Sequence, residues 1–259
     1  MIAITRGISD ALSRCELTHL DRVPIDLERA RAQHVAYESA LRAAGYTVKA
    51  LPASEDHPDC VFVEDAAIAF DEVAVMTRPG AASRRGELDA IAEALSEHRT
   101  LSSISEPGTL DGGDVLVLGR DVYVGLSTRS NQSGVDQLWE ILKPHDYTVT
   151  GIEVKGCLHL KSAATAVDEG RALVNPEMID TALLRGIECI EVDPSEPMAA
   201  NLVALPMAKV SGTVLHGSAY PKTGARLVAA GLHVVKVPAD ELAKAEGALS
   251  CCSILLHQR

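Results

Sequence analysis

A carboxylate cluster at residues 58–65 is the first segment able to do chemistry. Asp59 precedes a run of three apolar residues, and the adjacent pair Glu64-Asp65 follows it. If the run is a strand, Glu64 and Asp65 face opposite sides of it, and at least one faces the interior or a cleft. A buried carboxylate needs a cation or strong donors, because an isolated buried charge is very costly. The pattern therefore favours a receptor for a cation, although a single Asp is more commonly a solvated loop residue.

A second segment, residues 107–116, contains the glycine turn Asp111-Gly112-Gly113-Asp114 before an apolar run. It is not a phosphate loop, because the Lys-Ser/Thr ending is missing and two carboxylates would repel phosphate. Glycine lets the backbone come close to a partner, and Asp111 could hold an imidazole in one orientation. A simple turn explains Asp111 equally well.

Two further segments carry sulfur and imidazole. Cys251-Cys252 stands just before an apolar run, and alternation along a strand would bury one thiol while the other faces a cleft. His159 lies between Leu158 and Leu160. Buried cysteines are more often inert packing residues, and a histidine between leucines is more often a core histidine. A cysteine, a histidine and a carboxylate together are nonetheless the set that nucleophilic catalysis needs.

The composition limits the class of protein. The 259 residues carry 24 basic and 36 acidic side chains, a formal charge of −12, whereas phosphate binding needs a basic surface. We therefore expect no nucleic-acid partner. The apolar share of 47% and the charged share of 23% predict a globular chain with a sizeable core. Because aromatic residues make up only 3%, that core must consist mainly of Ala, Val, Leu and Ile.

The sequence also indicates a location. No apolar run reaches the roughly 18 residues that span a bilayer. Residues 1–16 interleave Arg6, Asp10 and Arg14 with apolar residues, which leaves no signal-peptide core. We expect a cytoplasmic protein with no membrane partner. The six cysteines show no CxxC pairing, which argues against a disulfide framework and a zinc site.

A pattern of strand, turn and helix recurs along the chain. Its strands begin near residues 73, 122, 172 and 213, with a fainter copy at residue 2, and this spacing is typical of repeat architectures. The pattern predicts helices over Leu27–Ala44, Glu87–Leu95, Val135–Leu142, Met178–Leu184 and Ala225–Ala230, and second strands over Val48–Pro52 and His233–Val237. A radial arrangement of five units would gather their loops around one central site. The alternative is the ordinary alternation of strands and helices in any α/β protein.

Seven short motifs, taken together, resemble a known family. They are Pro58-Asp59 with Phe62-Val63-Glu64-Asp65, Thr77-Arg78-Pro79-Gly80-Ala81 with Ser83-Arg84-Arg85, Leu110-Asp111-Gly112-Gly113-Asp114, Arg129-Ser130-Asn131-Gln132, Leu158-His159-Leu160-Lys161, Ala199-Ala200-Asn201 and Ser250-Cys251-Cys252-Ser253. In this order they resemble the dimethylarginine dimethylaminohydrolase family, a branch of the guanidine-modifying enzyme superfamily that also holds arginine deiminases and amidinotransferases. The resemblance runs from about residue 50 to the C-terminus.

The resemblance implies a fold and a catalytic set. The fold is α/β, a five-bladed α/β propeller of the pentein type with pseudo-fivefold repeats around a central active site, here one catalytic domain over residues 1–259. The implied nucleophile is Cys251, with Cys252 as its packing neighbour. The general acid and base is His159, which Asp111 orients.

The resemblance also implies how a substrate is held. Glu64 and Asp65 correspond to carboxylates that bind the guanidinium and its chain, and Asp59 to a ligand of the amino-acid end. Arg84 and Arg129 correspond to the arginines that bind the α-carboxylate.

Two backbone carbonyl groups complete the implied binding set. Leu17, or a residue one position away, corresponds to the carbonyl that binds the α-amino group, and Ala245 corresponds to the other. Ser9–Asp21 contains Leu17 and is polar enough to be exposed, so we expect it to form a lid.

The implied reaction is hydrolysis of N-omega-methylated arginines to citrulline and methylamine or dimethylamine, through a covalent thiouronium on Cys251. The reaction requires no cofactor, and a metal held by Cys251 and His159 would act first as an inhibitor. The expected partner is a small-molecule substrate, and a homodimer is left open. The alternatives are an arginine deiminase that acts on free arginine and a non-catalytic arginine-binding protein.

Overall fold

The computed structural model describes residues 1–257, which form fifteen strands in five three-stranded sheets. The strands are β1 Ile2–Arg6, β2 Thr47–Leu51, β3 Ala67–Ala69, β4 Val73–Met76, β5 Thr100–Ser103, β6 Val115–Leu118, β7 Asp121–Leu126, β8 Thr148–Glu153, β9 Ala164–Ala166, β10 Arg171–Val174, β11 Glu188–Glu191, β12 Leu202–Ala204, β13 Thr213–Gly217, β14 His233–Val237 and β15 Ile254–Leu256. The α-helices are α1 Leu27–Ala44, α2 Leu88–Ser96, α3 Gln132–Leu142, α4 Leu160–Ala163, α5 Pro221–Ala229 and α6 Asp240–Ala243.

All five sheets share one topology. A middle strand pairs antiparallel with an inner strand and parallel with an outer strand, as in the order β3-β4-β5. The first sheet is closed by the two ends of the described chain, because β15 pairs with β1. The middle strands β1, β4, β7, β10 and β13 begin at or within one residue of the predicted repeat starts. The predicted five-bladed propeller is therefore confirmed.

The five inner strands surround the propeller axis. Side chains of β3, β6, β9, β12 and β15 all line one cavity of about 220 Å³, which we call the axial cavity. Each inner strand has only three or four residues. Such short strands leave little periodic signal in a sequence, since an alternating pattern needs at least about four residues.

Helices connect the middle and outer strands in four of the five sheets. The parallel pairing of those strands requires a crossover, and α1, α2, α3 and α5 provide it. In the fourth sheet the predicted helix Met178–Leu184 is wrong, because only the 3-10 turn Thr181–Leu183 forms there. The Asp180 side chain accepts the Ala182 N–H, a local bond that competes with a longer helix.

Aliphatic side chains fill the spaces between the sheets, as the composition predicts. In one cluster, Leu138 and Leu142 of α3 pack with Val122 and Val124 of β7 and with Val75 of β4. Burial of each such side chain stabilises the folded state by about 1.5–3 kcal/mol.

Within residues 1–257, no helix is both long and apolar enough to cross a bilayer.

A short turn precedes each inner strand, and four of these turns contact one another in sequence around the axis. The turns are Val63–Ala66 before β3, Gly112–Asp114 before β6, α4 before β9, residues 197–200 before β12 and Ser250–Cys252 before β15. The carboxylate segment at residues 61–65 is thus part of a turn and not of a strand, contrary to our expectation. Because the repeat places these turns side by side, motifs that lie far apart in the chain converge.

Candidate active site

The helical turns separate the axial cavity from a second cavity, which we call the polar cavity. Twelve residues line the polar cavity: Glu16, Asp59, Phe62, Asp65, Arg84, Arg129, Leu158, His159, Ala245, Glu246, Gly247 and Cys251. The structure therefore brings together eight of the ten predicted site residues, when Asp111 is counted through its contact with His159. Only Glu64 and Leu17 are placed elsewhere.

Glu64 faces the axial cavity although its neighbour Asp65 faces the polar cavity. Its carboxylate lies 2.6 Å from Lys161 Nζ and 2.7 Å from Ser250 Oγ. The structure thus does not reproduce the expected pairing of Glu64 with Asp65 around one guanidinium. The turn directs adjacent side chains apart, and Ser250 and Cys251 are divided between the two cavities in the same way.

His159 is held by a carboxylate on each side. Its Nε2 lies 3.0 Å from Asp111 Oδ2, and its Nδ1 lies 3.9 Å from Asp65 Oδ1. Burial alone would lower the pKa of His159, but Asp65, Asp114 and Asp111 outweigh it and raise the pKa to about 9. The imidazole is therefore protonated at neutral pH and able to give a proton.

Cys251 is buried in the turn Ser250–Cys252 and lines the polar cavity. Burial, and then the negative charges of Glu64 and Asp65, raise the pKa of its thiol. A cation beside the sulfur would favour the thiolate. Cys252 lies in the hydrophobic core, with its Sγ 3.4 Å from the Ala248 carbonyl oxygen, which fits the expected packing neighbour.

The two arginines differ in what already binds them. Arg84 is buried, and its Nη1 lies 2.5 Å from Asp65 Oδ2 while its Nη2 lies 2.8 Å from Glu87 Oε2. Arg129 is also buried, but its Nη2 donates to a neutral group, Thr18 Oγ1, at 3.2 Å, and its Nη1 lies 3.9 Å from Asp111 Oδ2, beyond hydrogen-bond distance. Arg129 is therefore the more available of the two for a carboxylate ligand.

At two glycines the backbone lies so close to residues of the site that no side chain would fit. A Cβ on Gly113 would lie 2.7 Å from both Asp65 Oδ1 and His159 Nδ1. A Cβ on Gly80 would lie 2.5 Å from the Arg129 Cα. Backbone without a side chain is needed at both positions for the neighbouring groups to approach.

We expected Ser9–Asp21 to be an exposed lid, but Ser9, Leu12 and Cys15 are buried, and the largely exposed part is residues 16–21. We keep the name lid for residues 16–21, which begin beside the polar cavity, and their movement stays a prediction. Glu16 lines the cavity, and its N–H donates to Asp59 Oδ2 at 3.1 Å. Leu17 packs against the hydrophobic core and is not among the lining residues, whereas its neighbour Glu16 is. Which of the two carbonyl groups binds the α-amino group stays a prediction. Burial raises the pKa of Asp59 to about 6, although Arg84 opposes this.

The side chain of Glu246 binds the backbone of the lid. Glu246 accepts the N–H groups of Thr18, His19 and Leu20 at 2.9, 2.5 and 2.7 Å. Glu246 has a φ of 56°, a left-handed conformation that is uncommon outside glycine. It follows Ala245, which lines the cavity, while the binding role of the Ala245 carbonyl stays a prediction. Glu246 was not predicted as a site residue, because nothing in the local sequence marks a contact across more than two hundred residues.

One further arrangement bears on metal binding. The carboxylates of Asp65 and Asp111 and the ring of His159 have ligand atoms within 4.8 Å of one another. This group differs from the expected pair of Cys251 and His159. Its atoms already form the hydrogen bond and ion contacts that orient the imidazole.

Comparison with known proteins identifies relatives along the whole chain. The family model described as "N,N dimethylarginine dimethylhydrolase, eukaryotic" matches residues 19–254. A Streptomyces coelicolor protein named N(G),N(G)-dimethylarginine dimethylaminohydrolase is 37% identical over 99% of this chain and 97% of its own. A protein of the same name from Pseudomonas aeruginosa is 32% identical over 96% of this chain and 95% of its own.

Solved structures agree with these matches. The Pseudomonas aeruginosa enzyme, as a cysteine-to-serine variant with citrulline, superposes with a TM-score of 0.91 at 31% identity over 97% of each chain. The N-terminal domain of ArgZ, at 20% identity and a TM-score of 0.84 over 99% of this chain and 97% of its own, shares the fold. The chain belongs to the dimethylarginine dimethylaminohydrolase family.

Proposed function

We propose that the protein hydrolyses N-omega-methylated arginines to citrulline and methylamine or dimethylamine. The observation that carries the proposal is the joint placement of Cys251, protonated His159 and the Asp65 carboxylate on one cavity of a family member. The relatives at 37% and 32% identity are named for this reaction. The Pseudomonas structure contains citrulline, the expected product.

The charges of the polar cavity suit a substrate with a cation at one end and a carboxylate at the other. Asp65 is ionised, because His159 and Arg84 lower its pKa in spite of burial, and it faces the cavity beside Cys251. Arg129 supplies a positive charge for the α-carboxylate. Asp59 and the backbone of the lid are assigned to the amino end. Fixing both ends of the substrate keeps the guanidinium carbon close to the sulfur, which lowers the entropic part of the barrier.

The first half of the reaction forms the thiouronium. The bound guanidinium favours loss of the Cys251 proton to solvent, and the thiolate attacks the guanidinium carbon. His159 gives its proton to the methylated nitrogen, the C–N bond breaks and the amine departs. Asp111, within hydrogen-bond distance of Nε2, keeps the ring in place for this transfer.

The second half releases the product. Neutral His159 takes a proton from water as that water attacks the thiouronium carbon. The C–S bond then breaks, the hydroxyl proton is lost to solvent, and citrulline leaves with the thiolate regenerated. The steps use only the groups of the chain, water and the substrate.

The direct test measures citrulline after incubation with dimethylarginine, monomethylarginine and arginine. We expect turnover of the methylated substrates, and a loss of roughly a thousandfold or more in Cys251→Ser. Cys252→Ala is the matched control, since it removes the adjacent thiol from the core and should retain most activity. Faster turnover of arginine would support the deiminase alternative. Tight arginine binding without citrulline, and without a covalent adduct of Cys251 with a haloacetamidine, would support a binding protein.

Two expectations of wider scope remain predictions. The cytoplasmic location rests on the sequence pattern alone, and the sequence leaves open whether the protein is a homodimer. Sedimentation of the purified protein would decide the second.

A further inference from the structure

Asp114 is a fully buried carboxylate for which the proposed reaction has no task. It ends the glycine turn that begins with Asp111, and it does not line the polar cavity. Its two oxygens accept three hydrogen bonds. Ser127 Oγ and Ser130 Oγ donate to Oδ2 at 2.6 and 2.7 Å, and the Leu160 N–H donates to Oδ1 at 2.9 Å. Two of these donors connect Asp114 to the residues that are proposed to move the proton.

One connection leads to Asp111. Ser130 Oγ donates to Asp114 and accepts the Asp111 N–H at 3.0 Å, so the hydroxyl ties the backbone of Asp111 to the buried carboxylate. All three residues are buried. These two hydrogen bonds fix the position of the Asp111 backbone, from which the Asp111 side chain reaches the His159 ring.

The other connection leads to His159 itself. Leu160, whose N–H donates to Asp114, is the residue after His159 and the first of α4. The bond holds the start of that short helix against the glycine turn. Asp114 therefore holds the backbone on both sides of the His159–Asp111 contact, by two independent routes.

The neighbouring strand leaves space for this carboxylate. A Cβ on Gly125 of β7 would lie 2.7 Å from Asp114 Oδ1 and 2.9 Å from the Leu160 Cβ. Glycine at this position lets the carboxylate and α4 approach the strand. Burial, opposed by His159 and the two serines, raises the pKa of Asp114 to about 6, so the carboxylate is ionised at neutral pH. Its charge is one of those that keep His159 protonated.

We propose that Asp114 is a positioning residue that sets the geometry of the His159–Asp111 pair through Ser130 and the Leu160 backbone. The inference rests on the proposed function, because it assigns the pair a proton-transfer role. The charged and titratable groups around the pair are Asp65, Asp114, Arg129 and Cys251. Asp65 accepts the Gly113 N–H and so bonds to the glycine turn. Asp114 reaches the backbone of both turns, directly at Leu160 and through Ser130 at Asp111.

The test compares Asp114→Asn with Ser130→Ala and with a control, Glu196→Gln. Glu196 is a buried carboxylate in another part of the fold that also accepts backbone N–H groups, from Lys222 and Thr223. We measure kcat and KM with dimethylarginine, the Tm, and the NMR titration of the His159 ring. We expect kcat to fall about 10- to 100-fold in Asp114→Asn, with KM changed less than about threefold.

The titration separates a positioning role from a merely structural one. Loss of the Asp114 charge should lower the pKa of His159, whereas Glu196→Gln should lower the Tm and leave both kcat and the titration unchanged. A wild-type kcat and titration in Asp114→Asn would overturn the proposal. If that variant does not fold, Ser130→Ala decides, because it cuts the route to Asp111 alone, and an unchanged kcat there overturns the proposal.

Failure of the proposed function gives a different result. A wild-type protein that makes no citrulline from any methylated arginine refutes the reaction. The His159 titration in Asp114→Asn against the wild type then still decides whether Asp114 acts on His159, since that measurement requires no turnover.

Discussion

Asp111 Oδ2 lies 3.0 Å from the Nε2 atom of His159, whose ring lines the same cavity as Cys251. The carboxylates around the ring raise the pKa of His159 to about 9, and burial raises that of the Cys251 thiol. At neutral pH the free protein therefore holds a thiol and an imidazolium. Attack on the guanidinium carbon needs a thiolate and an imidazolium. In that state the Cys251–His159 pair carries one proton fewer than in the free protein at neutral pH.

This proton count predicts the pH dependence of kcat/KM. Below the pKa of His159 the reactive form loses about a factor of ten per pH unit, because the pair must first release one proton. We expect kcat/KM for dimethylarginine to rise from pH 6 and to level off near pH 9. Asp111→Asn removes a charge that raises the pKa, so the curve should level off at lower pH and at a lower rate. A kcat/KM that is flat between pH 6 and 9 would contradict the assignment.

Gly113→Ala tests how closely the turn approaches the site. The added methyl group would lie 2.7 Å from His159 Nδ1 and from Asp65 Oδ1, so the ring or the turn must shift. A displacement of about 1 Å is enough to lower kcat about a hundredfold. Steady-state kinetics measure the effect. Gly170→Ala is the control, because its Cβ would meet nothing closer than Asp168 Oδ1 at 3.9 Å, and it should keep the wild-type kcat.

Sequence patterns predicted the repeat because the middle strands are apolar and their turns contain Pro, Gly or Asn. The helix Leu27–Ala44 is observed over the same residues, since Asp26 caps its start and Gly45 ends it in a left-handed conformation. The inner strands were less visible, because three or four residues carry little periodicity. The wrong helix at Met178–Leu184 reflects local side-chain bonds that the apolar spacing does not reveal.

The candidate site was predicted where the motif itself carries the chemistry, as for Cys251 and His159. It was not predicted where the direction of a side chain depends on the backbone geometry of the turn. Glu64 and Asp65 are adjacent, and only the 3-10 geometry of Val63–Ala66 decides that they face different cavities. The lid contact of Glu246 depends on packing between distant segments, which no spacing in the chain records.

Glu38 provides a stability test outside the site. It is a buried carboxylate whose pKa is lowered to about 2, first by His34 and then by the hydrogen bonds from Thr5 and Arg42, which outweigh burial. Its stabilising effect is therefore fully present above the ordinary pKa of 4.5 and is lost as the pH falls through 2. Glu38→Gln should be less stable at pH 7 by about 1 kcal/mol or more, because two bonds to the charged group weaken.

Thermal unfolding of wild type and Glu38→Gln between pH 7 and 2 checks this prediction. The difference in Tm should shrink below pH 4.5, since the wild-type carboxylate then begins to lose its advantage. Glu97→Gln is the control, as its carboxylate is exposed and makes a surface contact with Lys49 at 2.8 Å. A Tm difference for Glu38→Gln that does not change with pH would show that the lowered pKa of Glu38 is not its source.

Glu246→Gln tests whether the Glu246 carboxylate holds the lid closed. The free volume of the polar cavity is about 20 Å³, room for about one water molecule, so a ligand as large as arginine requires the lid to move and close again. Three backbone N–H groups of the lid donate to the Glu246 carboxylate, and Thr18 also accepts a hydrogen bond from Arg129. A neutral amide weakens the charged bonds, and the closed state becomes less populated. The apparent affinity for substrate falls with that population.

We therefore expect KM for dimethylarginine to rise about tenfold in Glu246→Gln, while kcat changes less than about twofold, because Cys251 and His159 are not displaced. Amide hydrogen exchange at Thr18, His19 and Leu20 should become faster, which separates release of the lid from a simple change of charge in the cavity. Glu106→Gln is the control, since it loses an exposed contact with Arg78 away from the cavity. Unchanged exchange at the three lid amides, with a raised KM, would mean that Glu246 acts on the substrate directly and not through the lid.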